Sequence, residues 1–328
     1  MLIPTYWAEA RLQHREGRRT VTLRRFGWSE VGEAEAQAHA DTRAREAMAR
    51  VLSGETLPRR ERRVAYNGAE GVPIREEIVD RHGDSAITRT GYGALCLNTP
   101  DVLFADIDFA EHSRPRHVLA AMALVFVAAA AALIGVFHVQ VIASLIVAFF
   151  ASLLLGVPLP GALRKVVVAL RGGPEQVALR RVRRFVASHP DWRLRVYRTP
   201  AGLRLLALHR RFDPREDAVR TCFDALGVDP LYARMCLNQN CFRARVTPKP
   251  WRMGLQRLRA PYSAAWRPEH ASLPARRAWI ERYDREAQGY AACRYLETVG
   301  SGPSDPGAES VQALHDLLCQ AERELPLA

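Results

Sequence analysis

Two aspartates separated by one residue, Asp106 and Asp108, have the spacing in this sequence that most directly suggests chemistry. They lie in the apolar run at 102–109 (VLFADIDF), which predicts a buried central strand. Because side chains alternate along a strand, both carboxylates should face the same side. Such a pair needs a cation nearby, and an arginine side chain or a divalent ion such as Mg²⁺ or Mn²⁺ would serve. The sequence leaves both alternatives open; the second makes Asp106 and Asp108 metal ligands.

A turn followed by a second apolar strand lies further along the chain. The segment at 196–208 (VYRTPAGLRLLAL) contains a Thr-Pro-x-Gly turn made by Thr199 and Gly202. An Asp-x-Asp strand followed by such a turn resembles the archaeo-eukaryotic primase and primase-polymerase superfamily. In that family the aspartates bind the catalytic metal, and a histidine after the turn contacts nucleotide phosphate. The resemblance implies that Thr199 and Gly202 belong to a nucleotide-binding turn.

The sequence departs from the family pattern at two points. Arg204 stands near the position of the family histidine, and His209 is out of register with it. The later family motif, a hydrophobic residue followed by Asp, has no counterpart in the predicted strand at 241–247 (CFRARVT). The resemblance therefore implies a related fold whose metal-dependent nucleotidyl or phosphoryl transfer is retained, altered or lost.

A basic segment with an aromatic residue follows at 241–252 (CFRARVTPKPWR). Lys249 and Arg252, together with Arg204, are candidates for binding the phosphate oxygens of a nucleotide, and Trp251 is a candidate for stacking on a base. The alternative is an amphipathic strand whose arginines are solvated or face lipid head groups.

A long segment without Asp, Glu, Lys or Arg separates Arg116 from Arg164. A membrane-spanning helix needs about 20 apolar residues, and this segment holds two such runs, at about 118–137 and 139–159. His138 and Gln140 predict the turn between them, and Gly156, Pro158, Pro160 and Gly161 predict the end of the second helix. The sequence predicts a transmembrane helical hairpin at 113–165.

Positive charge flanks this hairpin on one side only. The connecting turn has no Lys or Arg, whereas cations precede and follow the two apolar runs: Arg114, Arg116, Arg164, Lys165, Arg171, Arg180, Arg181, Arg183 and Arg184. Because positive loops stay inside, we expect two spans in a bacterial cytoplasmic (inner) membrane, with both termini cytoplasmic. The lipid bilayer is then the first predicted partner.

The remaining sequence predicts a cytoplasmic α+β domain, a mixed sheet with flanking helices, which the hairpin interrupts. Its first part is 1–112, its second part is 166–262, and a helical region at 263–328 follows. Helices are predicted at 33–52, 175–188, 214–226, 275–298 and 308–323. Strands are predicted at 19–26, 62–66, 85–89, 93–97, 102–109, 192–198, 203–209 and 241–247, and 66–84 reads as a loop.

Composition gives weaker indications. The net charge is +12, and the cations are almost all arginine, since lysine occurs only at Lys165 and Lys249. This favours anionic partners such as phospholipid, nucleotide or nucleic acid, although a GC-rich genome gives the same bias. Six cysteines form no CxxC pair, which is typical of reduced buried thiols.

Two hypotheses of function follow. The first is a membrane-anchored interaction or scaffold module whose arginines contact anionic lipid or a partner. The alternative is a membrane-tethered nucleotidyl- or phosphoryl-transfer enzyme with a primase-polymerase-like core that uses Mg²⁺ or Mn²⁺.

Overall fold

The computed structural model describes residues 1–17, 19–61, 72–109, 115–259 and 266–328. The strands are β1 (Tyr6–Glu16), β2 (Arg19–Ser29), β3 (Glu77–His82), β4 (Ser85–Arg89), β5 (Leu95–Thr99), β6 (Phe104–Asp108), β7 (Leu194–Arg198), β8 (Gly202–Ala207), β9 (Phe242–Arg245) and β10 (Arg294–Val299). The helices are α1 (Glu33–Leu52), α2 (Pro115–Ala131), α3 (Val141–Ala151), α4 (Leu159–Leu170), α5 (Gly173–Ala187), α6 (Asp217–Leu226), α7 (Pro230–Gln239), α8 (Pro274–Ala287) and α9 (Pro306–Cys319).

Within the described residues these strands form three sheets, with the orders β1-β2, β10-β7-β8-β6 and β3-β4-β5-β9. The α+β class is therefore confirmed, but the strands are divided among three sheets instead of forming one mixed sheet. The β3-β4-β5-β9 sheet is antiparallel throughout. The helix α1 covers one face of the β1-β2 sheet, since Ala40 and Ala44 cluster with Ala10 of β1, and Ala47 and Met48 cluster with Leu23 of β2.

The strand β6, which precedes the predicted hairpin, pairs with β8, which follows it. Ala207 N donates to Leu103 O (3.0 Å), and Phe109 N donates to Ala201 O (3.0 Å). The numbers rise along one strand as they fall along the other, so the pair is antiparallel. This register sets Asp106 directly opposite Arg204.

Several predicted elements coincide with the observed ones, and others do not. The helix at 33–52 and the strand at 85–89 have the predicted bounds. The helix predicted at 275–298 is wrong in its second half: α8 ends at Ala287, and β10 follows and pairs with β7. The helical period fails after Ala287, where Gly289 and small residues interrupt it.

Four further elements were not predicted. They are β1, β3, α4 and α7. The charged strand β3 lies at a sheet edge, where charge discourages pairing with other chains, and this made it read as a loop. The strand predicted at 62–66 lies outside the described residues.

The chain divides into two compact units. One contains Met1–Ile107, Phe185–Pro200 and Arg204–Ala328, and the other contains Asp108–Arg184 and Ala201–Leu203. The first unit is thus built from chain on both sides of the long segment Asp108–Arg184, and the short segment Ala201–Leu203 interrupts it once more. It carries most of the three sheets, and its core includes fully buried residues of β6, β7, β8 and β9.

The second unit contains two helices that are long and apolar enough to cross a membrane, Pro115–Val136 and Val141–Leu170. Each includes a π-helical turn, at Ala132–Val136 and Ser152–Gly156. A bend at 137–140 joins them, as predicted. The predicted end near 159 is wrong, because Pro160 stands in the first turn of α4, where proline is tolerated, and helix resumes to Leu170.

Small residues mediate the packing of these two helices. Ser144, Ala148, Ser152 and Gly156 recur at every fourth position and are all buried. A Cβ atom added at Gly156 would lie 2.7 Å from Met122 Cα, so the backbones approach closely there. Small residues at such spacing are typical of helix pairs in membranes, where close backbone approach replaces the hydrophobic effect.

Candidate functional site

A bidentate ion pair occupies the position where the sequence predicts a metal site. Arg204 Nε donates to Asp106 Oδ1 (2.8 Å), and Arg204 Nη2 donates to Asp106 Oδ2 (3.1 Å). Arg204 is 2% exposed, whereas the Asp106 side chain keeps 41% of its surface exposed. The arginine alternative is therefore the geometry observed, with both Asp106 oxygens engaged.

The two charges stabilise each other. Burial raises the pKa of Asp106, but the adjacent Arg204 guanidinium outweighs it and holds this pKa below its ordinary value. Burial likewise lowers the pKa of Arg204, and Asp106 outweighs that effect, so the arginine stays charged. Asp108, at the exposed end of β6, is the other half of the predicted metal pair. Metal binding by Asp106 and Asp108 stays a prediction.

The third donor of Arg204 reaches two further groups. Its Nη1 donates to the carbonyl oxygen of Arg245 in β9 (2.6 Å) and lies 3.4 Å from Nε2 of His315 in α9. The guanidinium thus joins β6, β8, β9 and α9 through a single side chain. Phosphate binding by Arg204, predicted from the sequence, would have to compete with these contacts.

His315 lies in a fully buried cluster with two cysteines. Its Nε2 is 3.4 Å from Cys319 Sγ and 3.9 Å from Cys293 Sγ. The three ligand-type atoms all lie within 4.8 Å of one another. His315, Cys293 and Cys319 are all completely shielded from solvent.

Local structure explains how these three residues meet. His315 and Cys319 are four residues apart on α9, so they share one face of the helix. Ala292 N donates to Cys319 O (3.0 Å), and Tyr295 N donates to Ala321 O (2.9 Å). These backbone bonds bring Cys293, which directly precedes β10, against the last turn of α9.

The other ring nitrogen of His315 has a carboxylate partner. Its Nδ1 lies 3.0 Å from Asp316 Oδ1, and Arg195 Nη2 lies 2.9 Å from Asp316 Oδ2. A proton on Nδ1 satisfies Asp316, so the lone pair of Nε2 faces the two sulfur atoms and the Nη1 donor of Arg204.

The pKa values of the three residues in this cluster are shifted from their ordinary values. Burial raises the pKa of Cys293, but contacts with Cys319 and His315 outweigh it and bring this pKa well below its ordinary value. Burial raises the pKa of Cys319 well above that value. Burial lowers the pKa of His315, yet Cys293 and Asp316 raise it overall.

The remaining predicted residues lie elsewhere in the fold. Thr199 lies in the β7–β8 turn as predicted, Gly202 is the first residue of β8, and both are buried. Lys249, Trp251 and Arg252 lie together around a short 3₁₀ turn at Pro250–Arg252 after β9. Lys249 Nζ is 5.5 Å from the Trp251 ring, which is half exposed. Nucleotide binding by these five residues stays a prediction.

One arginine of the predicted basic segment at 241–252 is not exposed to solvent. Arg243, which alternates with Arg245 on β9, is buried and pairs with Glu76 at 2.6 Å. His209 is also buried, against Trp192 (4.6 Å between ring centroids), and its Nδ1 accepts from Arg193 N. Neither residue presents a solvent-facing cation.

Sequence reasoning missed the Cys293–His315–Cys319 cluster. The signal present in the sequence was His-x-x-x-Cys on a predicted amphipathic helix, with a further cysteine 22 residues before the histidine. A search for CxxC pairs does not detect this spacing, because the third residue is brought in by a strand.

Comparisons with protein-family models, with curated proteins and with solved structures gave no match.

Proposed function

We propose that this chain is an integral membrane protein whose α+β part is a cytoplasmic interaction or scaffold module. The observation that carries this proposal is the position of the exposed apolar side chains. Of the 28 large hydrophobic residues exposed in the described part of the chain, 21 lie between Pro115 and Leu170. Such a surface is unstable in water and suits a lipid environment.

The helix lengths agree with this assignment. Pro115–Val136 has 22 residues and a mean hydropathy of 2.6, which corresponds to about 33 Å of helix at 1.5 Å per residue. The hydrocarbon core of a bilayer is about 30 Å thick. Val141–Leu170 is longer, and its last part, α4, has Arg164 and Lys165 beside exposed apolar residues, as expected of a helix that reaches the interface.

The charge distribution supports a cytoplasmic orientation and contact with anionic lipid. Between Pro115 and Arg184 the chain has eight cations and one carboxylate, Glu175. Seven of these cations follow the second apolar run. Each basic residue near an anionic membrane contributes about 1 kcal/mol of attraction, so this segment should hold acidic head groups close to the module.

An interaction module is favoured over an enzyme because the reactive groups are engaged or enclosed. Both oxygens of Asp106 accept from Arg204, and the thiols of Cys293 and Cys319 are buried. A surface depression lined by Asp101, Arg211 and their neighbours contains none of the predicted site residues.

Labelling of introduced cysteines in intact cells tests the topology. We expect Gln140→Cys, in the exposed bend between the helices, to react with a membrane-impermeant maleimide from outside the cell. Ser53→Cys, exposed after α1, is the matched control and should react only after lysis. The native cysteines are all buried and give a low background.

Extraction provides the second arm of the test. The chain should stay with membranes through alkaline carbonate and high salt, and detergent should release it. Release by carbonate, or labelling of Ser53→Cys in intact cells, contradicts the proposal.

A further inference from the structure

We propose that Cys293, His315 and Cys319 bind a zinc ion, which fastens the C-terminal helix α9 to the start of β10. The three residues supply two sulfur ligands and one nitrogen ligand, the set that borderline-soft Zn²⁺ favours. Nothing in the proposed membrane function requires this site, so evidence against one of the two proposals leaves the other unaffected.

The distances fit tetrahedral coordination. Zinc–sulfur bonds of about 2.3 Å and zinc–nitrogen bonds of about 2.0 Å place neighbouring sulfur and nitrogen ligands about 3.5 Å apart. The two observed separations from His315 Nε2 are 3.4 Å to Cys319 Sγ and 3.9 Å to Cys293 Sγ. The two sulfur atoms lie within 4.8 Å of each other, and two zinc-bound sulfurs are about 3.8 Å apart. An ion therefore fits among these atoms with side-chain adjustments of at most about 1 Å.

The surroundings of His315 have the form expected around a metal ligand. Asp316 Oδ1 contacts Nδ1 at 3.0 Å, which leaves Nε2 as the coordinating atom. Asp316 is itself held, by Arg195 Nη2 (2.9 Å) and by Gln312 Nε2 (3.0 Å). The ring orientation is thus fixed before any ion binds, which reduces the entropic cost of binding.

The charges also balance. Two thiolates neutralise one divalent cation, and the nearby Arg204 charge is neutralised by Asp106. A completely buried zinc site of this composition is therefore electrically neutral as a whole, including its cationic neighbour. By contrast, a thiolate buried without a cation beside it is costly.

Burial points to a structural role for the ion. Three protein ligands leave one tetrahedral position, which a water molecule would fill, as in catalytic zinc sites. Here all three ligands are shielded from solvent, so a substrate has no route to that position. Since binding requires the folded arrangement, the ion should contribute to the stability of the unit.

The first experiment measures metal in the full-length protein, purified in detergent without chelators. Elemental analysis should find about one zinc per chain, and Cys319→Ser and His315→Ala should lose it. Cys222→Ser is the matched control, because Cys222 is equally buried on α6 and far from this helix in sequence. It should retain the metal.

A second measurement uses the wild-type chain, so it does not depend on whether a variant folds. The purified protein, stripped with a chelator, is titrated with Co²⁺, and the expected result is thiolate-to-cobalt charge-transfer absorption that saturates at one equivalent and disappears when Zn²⁺ is added. Absence of this absorption, or of zinc in the isolated protein, overturns the proposal. Zinc loss in Cys222→Ser equal to that in Cys319→Ser, or a Cys293–Cys319 disulfide found by mass spectrometry in the protein as isolated, also overturns it.

Discussion

At the scale of single residues, the ion pair of Asp106 and Arg204 illustrates how burial decides what a charged group can do. Arg204 is almost completely enclosed and makes its hydrogen bonds inside the fold. Asp106 is partly solvated, so it could be hydrated in the absence of its partner. The two members of the pair are therefore unequal. Removal of the aspartate leaves an unpaired buried charge, whereas removal of the arginine leaves a carboxylate that water can solvate.

This inequality predicts an asymmetric effect of substitution. Asp106→Asn leaves a buried guanidinium without its counter-charge and should lower the free energy of unfolding by about 2 kcal/mol, less than for a fully buried pair. Arg204→Met removes the buried charge and should cost about 1 kcal/mol. Urea unfolding followed by tryptophan fluorescence in mild detergent measures both. A larger loss for Arg204→Met contradicts this view of the pair.

The alternative function, metal-dependent nucleotidyl transfer, predicts that binding of Mg²⁺ or Mn²⁺ with nucleotide depends on Asp108. Since Arg204 already occupies both oxygens of Asp106, we expect calorimetric titration with Mg²⁺ or Mn²⁺ and a nucleoside triphosphate to give no heat that depends on the aspartates. Asp108→Asn is the useful variant, because Asp108 is exposed and its loss should leave the fold intact. Saturable binding that disappears in Asp108→Asn would restore the enzymatic hypothesis and justify a polymerase assay.

At the scale of secondary-structure elements, the sequence predicted those whose hydrophobic period is clear. The helix α1 and the two apolar runs between Arg116 and Arg164 were predicted because their composition leaves few alternatives. The strands β10 and β3 were missed, since both are short edge strands with no clear apolar alternation, and their pairing with β7 and β4 cannot be read from the sequence. The sequence did not predict Cys293 as part of the cluster for the same reason, because its approach to α9 depends on tertiary pairing.

Packing within the helical hairpin gives a prediction at this scale. Gly156→Val would place a Cβ 2.7 Å from Met122 Cα, so the two helices must separate. We expect the thermal stability of the detergent-solubilised protein to fall, by an amount equivalent to about 2 kcal/mol.

Gly135 is the matched control for this substitution. It also lies in a π-helical turn of the hairpin, but a Cβ there meets no atom within 4 Å. Gly135→Val should therefore unfold at nearly the wild-type temperature, and an equal loss in both variants would indicate a propensity effect instead of a clash.

At the scale of the whole molecule, the order of elements along the chain links the apolar segment to the sheet. The strands β6 and β8 pair although the entire hairpin separates them in sequence. The chain must therefore leave the sheet after Asp108, form the apolar helices, and return by Leu194. The apolar segment is therefore joined to the sheet at both of its ends, through β6 before it and β7 after it.

The cations that follow the second apolar run give the last prediction. Lys165, Arg171 and Arg180 are exposed, and we expect the purified protein to retain anionic phospholipid over zwitterionic phospholipid because of them. Replacing these three with Gln should abolish the preference, whereas replacing the exposed Arg277, Arg282 and Arg285 of α8 should not. Headgroup analysis of the lipid that co-purifies measures the effect. Salt near 1 M, where the screening length is about 3 Å, should weaken the wild-type preference towards that of the triple variant. If both triple variants lose anionic lipid equally, overall positive charge explains the retention, and the segment after the hairpin has no special role in holding the module at the membrane.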